Sequence, residues 1–108
     1  PGAPSFAVTA RQAGEVVGMA EGRVTGDDCD LDRLLVGPAQ RGQGVGSHLL
    51  AAVESLAAER GCRRCRALAA SRSRGEAFLV GRGWLCTGPL TDWLAGEDYA
   101  RLERRLRS

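Results

Sequence analysis

Residues 40–50, QRGQGVGSHLL, place glycines at 42, 44 and 46 directly in front of the best helix-forming stretch of the chain. Glycine at every second position weakens both helix and strand, so this segment is a turn and not the interior of either element. An apolar run, LDRLLV, leads into it. After it Val45, Leu49, Leu50, Val53, Leu56 and Ala57 recur at intervals of three and four, the stripe of an amphipathic helix. Glu54, Glu59 and Arg60 fall off that stripe, and Gly61 is placed to end the helix as a left-handed cap. A strand that feeds a glycine-rich turn and then a helix is suited to an anion. The first helical N–H groups have no partner inside the helix, and the helix dipole adds partial positive charge there. Glycines let backbone N–H groups close around the anion with no side chain between.

Two familiar phosphate loops do not fit the spacing. A Walker loop ends in Gly-Lys-Ser/Thr; here Ser47 follows Gly46, and all 15 basic residues of the chain are arginine. The dinucleotide fingerprint runs G-x-G-x-x-G with an acid about 20 residues on. Here the glycines run G-x-G-x-G, and the strand after the helix, CRALAAS, ends without an acid.

The rest of the chain reads as short elements around this unit. FAVTA, 6–10, VVGMAEGRV, 16–24, and DLDRLLV, 30–36, are predicted strands joined by turn chemistry at RQAGE and TGDD, which makes a meander. CRALAA, 65–70, is a predicted interior strand, 73–83 a short helix ended by Gly83, and WLCT a strand. Residues 99–107 carry Leu102 and Leu106 at helical spacing, but their place at the end of an α/β chain suits a last strand.

With 108 residues and 44% hydrophobic content the chain is expected to form one domain over 1–108 with a single core. A net charge of +2 argues against nucleic acid as a partner, and no stretch approaches the ~20 apolar residues that span a bilayer. The opening PGAPSF has no basic segment followed by an apolar run, so a cytoplasmic, reduced protein is expected. Cys62 and Cys65 form a lone CxxC without two further paired ligands, so no metal is expected.

The stretch LLVGPAQRGQGVGSHLL resembles the acetyl-CoA signature of the GNAT superfamily of N-acetyltransferases: Arg or Gln, two residues, Gly, one residue, Gly or Ala, matched by Arg41, Gly44 and Gly46. GEVVGMAEG before it and GEAFLVGRGW after it extend the resemblance over roughly residues 6 to 107. The resemblance implies an α/β fold of the α+β type: a mixed, mostly antiparallel central sheet with helices on both faces. It implies acetyl transfer from acetyl-CoA, without a metal, to an amine of a small molecule or protein. The CoA pyrophosphate would lie on the backbone N–H groups of Gly42, Gln43, Gly44, Val45, Gly46 and Ser47, with Arg41 contributing mostly through backbone and loop shape. The extended arm would pair with Leu34, Leu35 and Val36, in a splay between that strand and CRALAA. A backbone N–H near Leu34 or Leu35 would polarise the thioester carbonyl. Asp30 and Asp32, on one face of a regular strand, are candidates to take the amine proton. Glu21 on the neighbouring strand is a candidate to bind a cationic acceptor.

The chain departs from the family pattern in three places. Leu79 stands where a Tyr usually protonates the leaving thiolate, and Arg74 stands where Asn is common. The family begins with a strand and two helices over the acceptor site, whereas almost nothing precedes Phe6. An exposed apolar face or strand edge is therefore expected, covered by a second copy in a homodimer. His48 is expected at a solvated helix position, and Trp84 and Trp93 as core or interface anchors.

Overall fold

The alternating start of the chain becomes an antiparallel meander in the structure, a computed structural model that describes residues 5–106. Strands β1 (Phe6–Gln12), β2 (Glu15–Thr25) and β3 (Asp28–Val36) follow one another, and a single 3-10 turn, Pro38–Gln40, leads to helix α1 (Val45–Glu59). Then come β4 (Arg64–Ala70), α2 (Arg74–Gly81), β5 (Leu85–Leu94) and β6 (Glu97–Arg105). One sheet takes the order β1-β2-β3-β4-β6-β5. Only β3 and β4 run parallel, joined by the crossover through α1. This is the expected mixed, mostly antiparallel class, with the last element a strand.

The helices differ from expectation in one respect. Both pack on the same face of the sheet rather than on opposite faces. Val45, Leu49, Leu50, Val53 and Ala57 of α1 and Leu79 of α2 share one core with Ala20, Cys29, Leu31, Cys65, Ala67 and Leu102 of the strands. The alternation of side chains explains why. Those strand positions are small or apolar, while their neighbours in sequence are Glu21, Asp28, Asp30, Arg64, Arg66, Arg101 and Glu103. A face of charges offers no partner to an apolar helical stripe. It is held laterally instead, by ion pairs such as Arg66–Asp30 at 2.8 Å and Arg33–Glu21 at 3.9 Å. On the covered face Trp84, 1% exposed, ties the elements together; its Nε1 donates to Glu54 Oε2 at 3.1 Å.

β5 is longer than the WLCT reading and begins one residue later. Its second half holds Gly88 and Pro89, which mask a strand in sequence but are tolerated at the sheet edge. Its register shifts at Cys86/Gly88 and at Leu90/Leu94.

Two irregularities shape β3. Gly22 pairs with Leu31 and Glu21 with Arg33, so Asp32 is an extra residue, a β-bulge. Gly22 permits it: a Cβ there would collide with the Asp30 carbonyl oxygen. On its other side β3 pairs with β4 only from Asp28↔Arg64 to Asp30↔Arg66. Beyond Asp30 the two strands part, and β3 continues to Val36 with that edge unpaired. The expected splay is present.

Candidate functional site

The split between β3 and β4 is flanked by two clefts. The first, about 580 Å³, lies at the α1 N-terminus. It gathers Leu34, Leu35 and Val36, then Arg41, Gly42, Gly44, Val45, Gly46 and Ser47. From α2 come Arg74, Gly75 and Phe78.

The loop backbone explains the glycines. Gly42 and Gly44 sit at φ +83° and +84°, the left-handed region that side chains with a Cβ resist. Gly44 is also the N-cap of α1 and carries no side-chain oxygen to satisfy the first N–H groups. The neighbouring helix is different. Ser73 Oγ accepts from Glu76 N at 3.2 Å, and Glu76 Oε1 accepts from Arg72 N at 2.7 Å, so α2 caps itself. The amides at the start of α1 have no such side-chain cap. Gly46 brings the helices close: a Cβ on it would lie 3.4 Å from Phe78.

Charge agrees with the backbone. Arg41 and Arg74 line the cleft, which has no acidic residue in its wall. Arg82 Nη1 donates to Ser47 Oγ at 3.2 Å, so a third guanidinium stands at the mouth. Sequence reasoning missed Arg82. Its signal is faint, one arginine among many, and only the packing of α2 against α1 brings it there.

Gln43 stands apart from the other loop residues. Its N–H donates to Gln40 O at 3.3 Å, and its side chain bonds Ala39 O and Gln12. It lines a groove on the opposite side of α1, with Val8, Val17 and the exposed His48.

The second cleft, about 520 Å³, lies on the open face of the sheet. Asp30 and Asp32 line it from β3, Arg66 and Leu68 from β4, and Arg101 from β6. The two aspartates differ. Asp30 takes a bidentate pair from Arg66, Nε at 2.8 Å and Nη2 at 3.2 Å. Asp32, on the bulge and 47% exposed, has only a loose pair with Arg23 at 3.7 Å. Asp28, one register further along β3, is engaged by Arg64 and Arg66. The Arg64 hydrogen bond holds its carboxyl below the usual range. Glu21 is on the same face one strand away, paired with Arg33, and does not line the cleft.

Leu79 is 6% exposed and belongs to the core, and Tyr99 packs edge-on against Trp93 at 5.8 Å. Among the described residues no group of three His, Cys, Asp and Glu is disposed to hold a metal. All four cysteines are free thiols, three of them buried. Cys29 lies in register with Cys65, whose thiol is pushed up by the hydrogen bond between them and by burial.

The arrangement is a cleft of helix N-terminal backbone and arginines beside the split of a mixed sheet, with a second cleft across the split. The sequence profile described as the Acetyltransferase (GNAT) family matches residues 1–78. The chain belongs to the GNAT family of acetyltransferases. A comparison with curated protein sequences finds no match. Among solved structures the chain is similar to an acetyltransferase from Bacillus cereus, at 27% identity and TM-score 0.83, over 94% of this chain and 72% of that one. It shares its fold with a GNAT-family protein from Desulfovibrio desulfuricans, at 24% identity and TM-score 0.87, over 94% and 69%. It also shares it with a GNAT acetyltransferase from Elizabethkingia anophelis that has acetyl-CoA bound, at 16% identity and TM-score 0.83, over 93% and 75%.

Proposed function

We propose that this protein is an N-acetyltransferase that moves an acetyl group from acetyl-CoA to a primary amine. The observation that carries the reading is the β3–β4 split with an uncapped helix N-terminus on one side and a carboxylate-lined cleft on the other. The cofactor's contribution is an activated acetyl thioester: the reaction makes an N–C bond, breaks a C–S bond, releases one proton from nitrogen and yields a thiolate.

This chain's residues divide that work. The N–H groups of Gly42 and of Gly44 through Ser47 hold the pyrophosphate, and Arg41, Arg74 and Arg82 neutralise it. The free edge of Leu34, Leu35 and Val36 accepts an extended arm as a strand edge accepts a peptide. A backbone N–H at Leu34 or Leu35 polarises the acyl carbonyl. Asp32 takes the amine proton, directly or through water. Asp30 is the weaker candidate, because its carboxylate is already committed to Arg66. Leu79 donates no proton; with a thiol pKa near ~8.5 the thiolate leaves unaided and water protonates it.

Two further proposals accompany the reading. The edge strand β5 exposes Leu85, Trp93 and Leu94, which favours a homodimer through that edge; light scattering that reports a monomer at micromolar concentration overturns it. Four free thiols favour the reducing cytoplasm. No helix of the described residues is long and apolar enough to cross a membrane.

The deciding experiment is a thermal-shift series followed by an amine screen. Acetyl-CoA and CoA at about 100 times their dissociation constants stabilise the fold by about 2.7 kcal/mol, and ATP does not. Amine-dependent release of CoA thiol then establishes transfer. Stabilisation without amine-dependent release in any class leaves a CoA-binding module instead.

A further inference from the structure

The open-face cleft contains an arginine with no carboxylate partner among the described residues and an aspartate held by one loose ion pair. Most of the charges around it are neutralised locally. Arg66 is shared between Asp30 and Asp28, Arg64 pairs with Asp28 and Glu103, and Glu21 pairs with Arg33. Asp32 keeps only the 3.7 Å contact with Arg23, itself half exposed. Arg101 lines the cleft from β6 and has no carboxylate partner among the described residues.

The sheet register places these two groups at opposite walls. Arg101 is the direct partner of Leu68 on β4, and Asp32 stands on β3 two residues past Asp30, the last position paired with β4. Two strand spacings, about 10 Å, and the added width of the split separate their backbones. Both residues line the cleft, with exposed Leu68 on the strand between them. A ligand that bridges them carries a cationic or proton-bearing nitrogen at one end and an anion at the other. A guanidinium offers such an anion a planar fork of N–H donors, which suits carboxylate and phosphate alike.

We infer that the acceptor of this acetyltransferase is an amine that also bears an anionic group, with its nitrogen at Asp32 and its anion on Arg101. Arg101 is then a specificity-determining residue. The inference rests on the N-acetyltransferase reading for what happens at the nitrogen, but not for the anion site itself.

The test uses matched pairs of amines that differ only in the anion. Leucine is compared with leucinamide, and O-phosphoethanolamine with ethanolamine. Each is measured twice on the wild-type chain and on Arg101→Gln: dissociation constants by ligand-observed NMR, which needs no turnover, and KM by release of CoA thiol. The wild type is expected to bind the anionic member of at least one pair tenfold or more tighter than its neutral partner. Arg101→Gln removes that preference, Arg101→Lys keeps part of it, and the neutral amines and acetyl-CoA bind as before. Comparing each pair across variants cancels the different basicities of the amines. The pair that shows the effect tells carboxylate from phosphate. Equal binding of both members by the wild type, or a preference that survives Arg101→Gln, overturns the inference. Anion-selective binding with no thiol release leaves the anion site standing and refutes acetyl transfer. Thiol release with every amine and no anion preference does the reverse.

Discussion

The two clefts beside the β3–β4 split are built from different materials. The cleft at α1 is backbone: two left-handed glycines, uncapped helical amides and an unpaired strand edge, with arginines around them. The open-face cleft is side chain: aspartates and arginines from three strands, sorted into satisfied and unsatisfied partners by register. A backbone cradle accepts one kind of group in one place, whatever sits at the far end of the ligand. A side-chain cleft changes its preference with a single substitution. Under the proposed function, the common donor and the variable acceptor of one reaction are read by one sheet from its two sides.

The largest expected effect breaks the backbone side. Gly44→Asp forces a Cβ into the left-handed region and sets a carboxylate where an anion should lie. Calorimetry is expected to show CoA affinity down by at least about 100-fold. The strain costs about 1–2 kcal/mol, so the fold survives. Unchanged CoA affinity removes the pyrophosphate role from this loop.

Next is the side-chain cleft, where the two aspartates separate. Asp32→Asn is expected to lower kcat by about 10²-fold, the low end for a general base, with acetyl-CoA binding intact. Asp30→Asn is expected to change kcat only a few-fold. It costs about 1 kcal/mol of stability instead, because it loosens a part-buried pair with Arg66. Steady-state kinetics beside thermal unfolding distinguish them, and the opposite ranking assigns the base to Asp30.

A smaller effect concerns the ion-pair ladder of the open face. The Arg64 hydrogen bond lowers the Asp28 pKa in the folded state, so the folded chain releases that proton more readily than the unfolded one. The stability this confers is fully present above the ordinary value of about 3.9 and is lost as pH falls through the lowered one. Asp28→Asn is expected to be about 1 kcal/mol less stable than wild type at neutral pH, with the gap closing in acid. A gap that stays constant down to about pH 2.5 shows that Asp28 does not act through its charge.

The smallest effect tests the proton donor to the thiolate. Tyr99 is engaged with Trp93 and is the one tyrosine in the chain, so Tyr99→Phe is expected to leave kcat within about threefold of wild type. A hundredfold fall with CoA affinity and folding intact assigns the acid role to Tyr99.

The α1 cleft was legible in the sequence because its requirements are local. Positive φ at 42 and 44, a bare N-cap and an amphipathic stripe are demands on consecutive residues, and they leave a spacing that survives in one dimension. The strand order through the meander was legible for the same reason, since alternation and turn residues are short-range signals. What the chain alone did not decide depends on residues far apart in sequence. That both helices share one face follows from which side of six strands is apolar, a property of the whole sheet. That Asp32 is the extra residue of a bulge follows from pairing with Gly22 and Glu21 on another strand. That Asp30 is spent on Arg66, Gln43 turns away to Gln12, and Arg82 and Arg101 arrive at the two clefts are consequences of register and packing across 31 or more positions. Hydrogen bonds and ion pairs act over a few ångströms of space, and sequence separation says nothing of that distance until the sheet has closed.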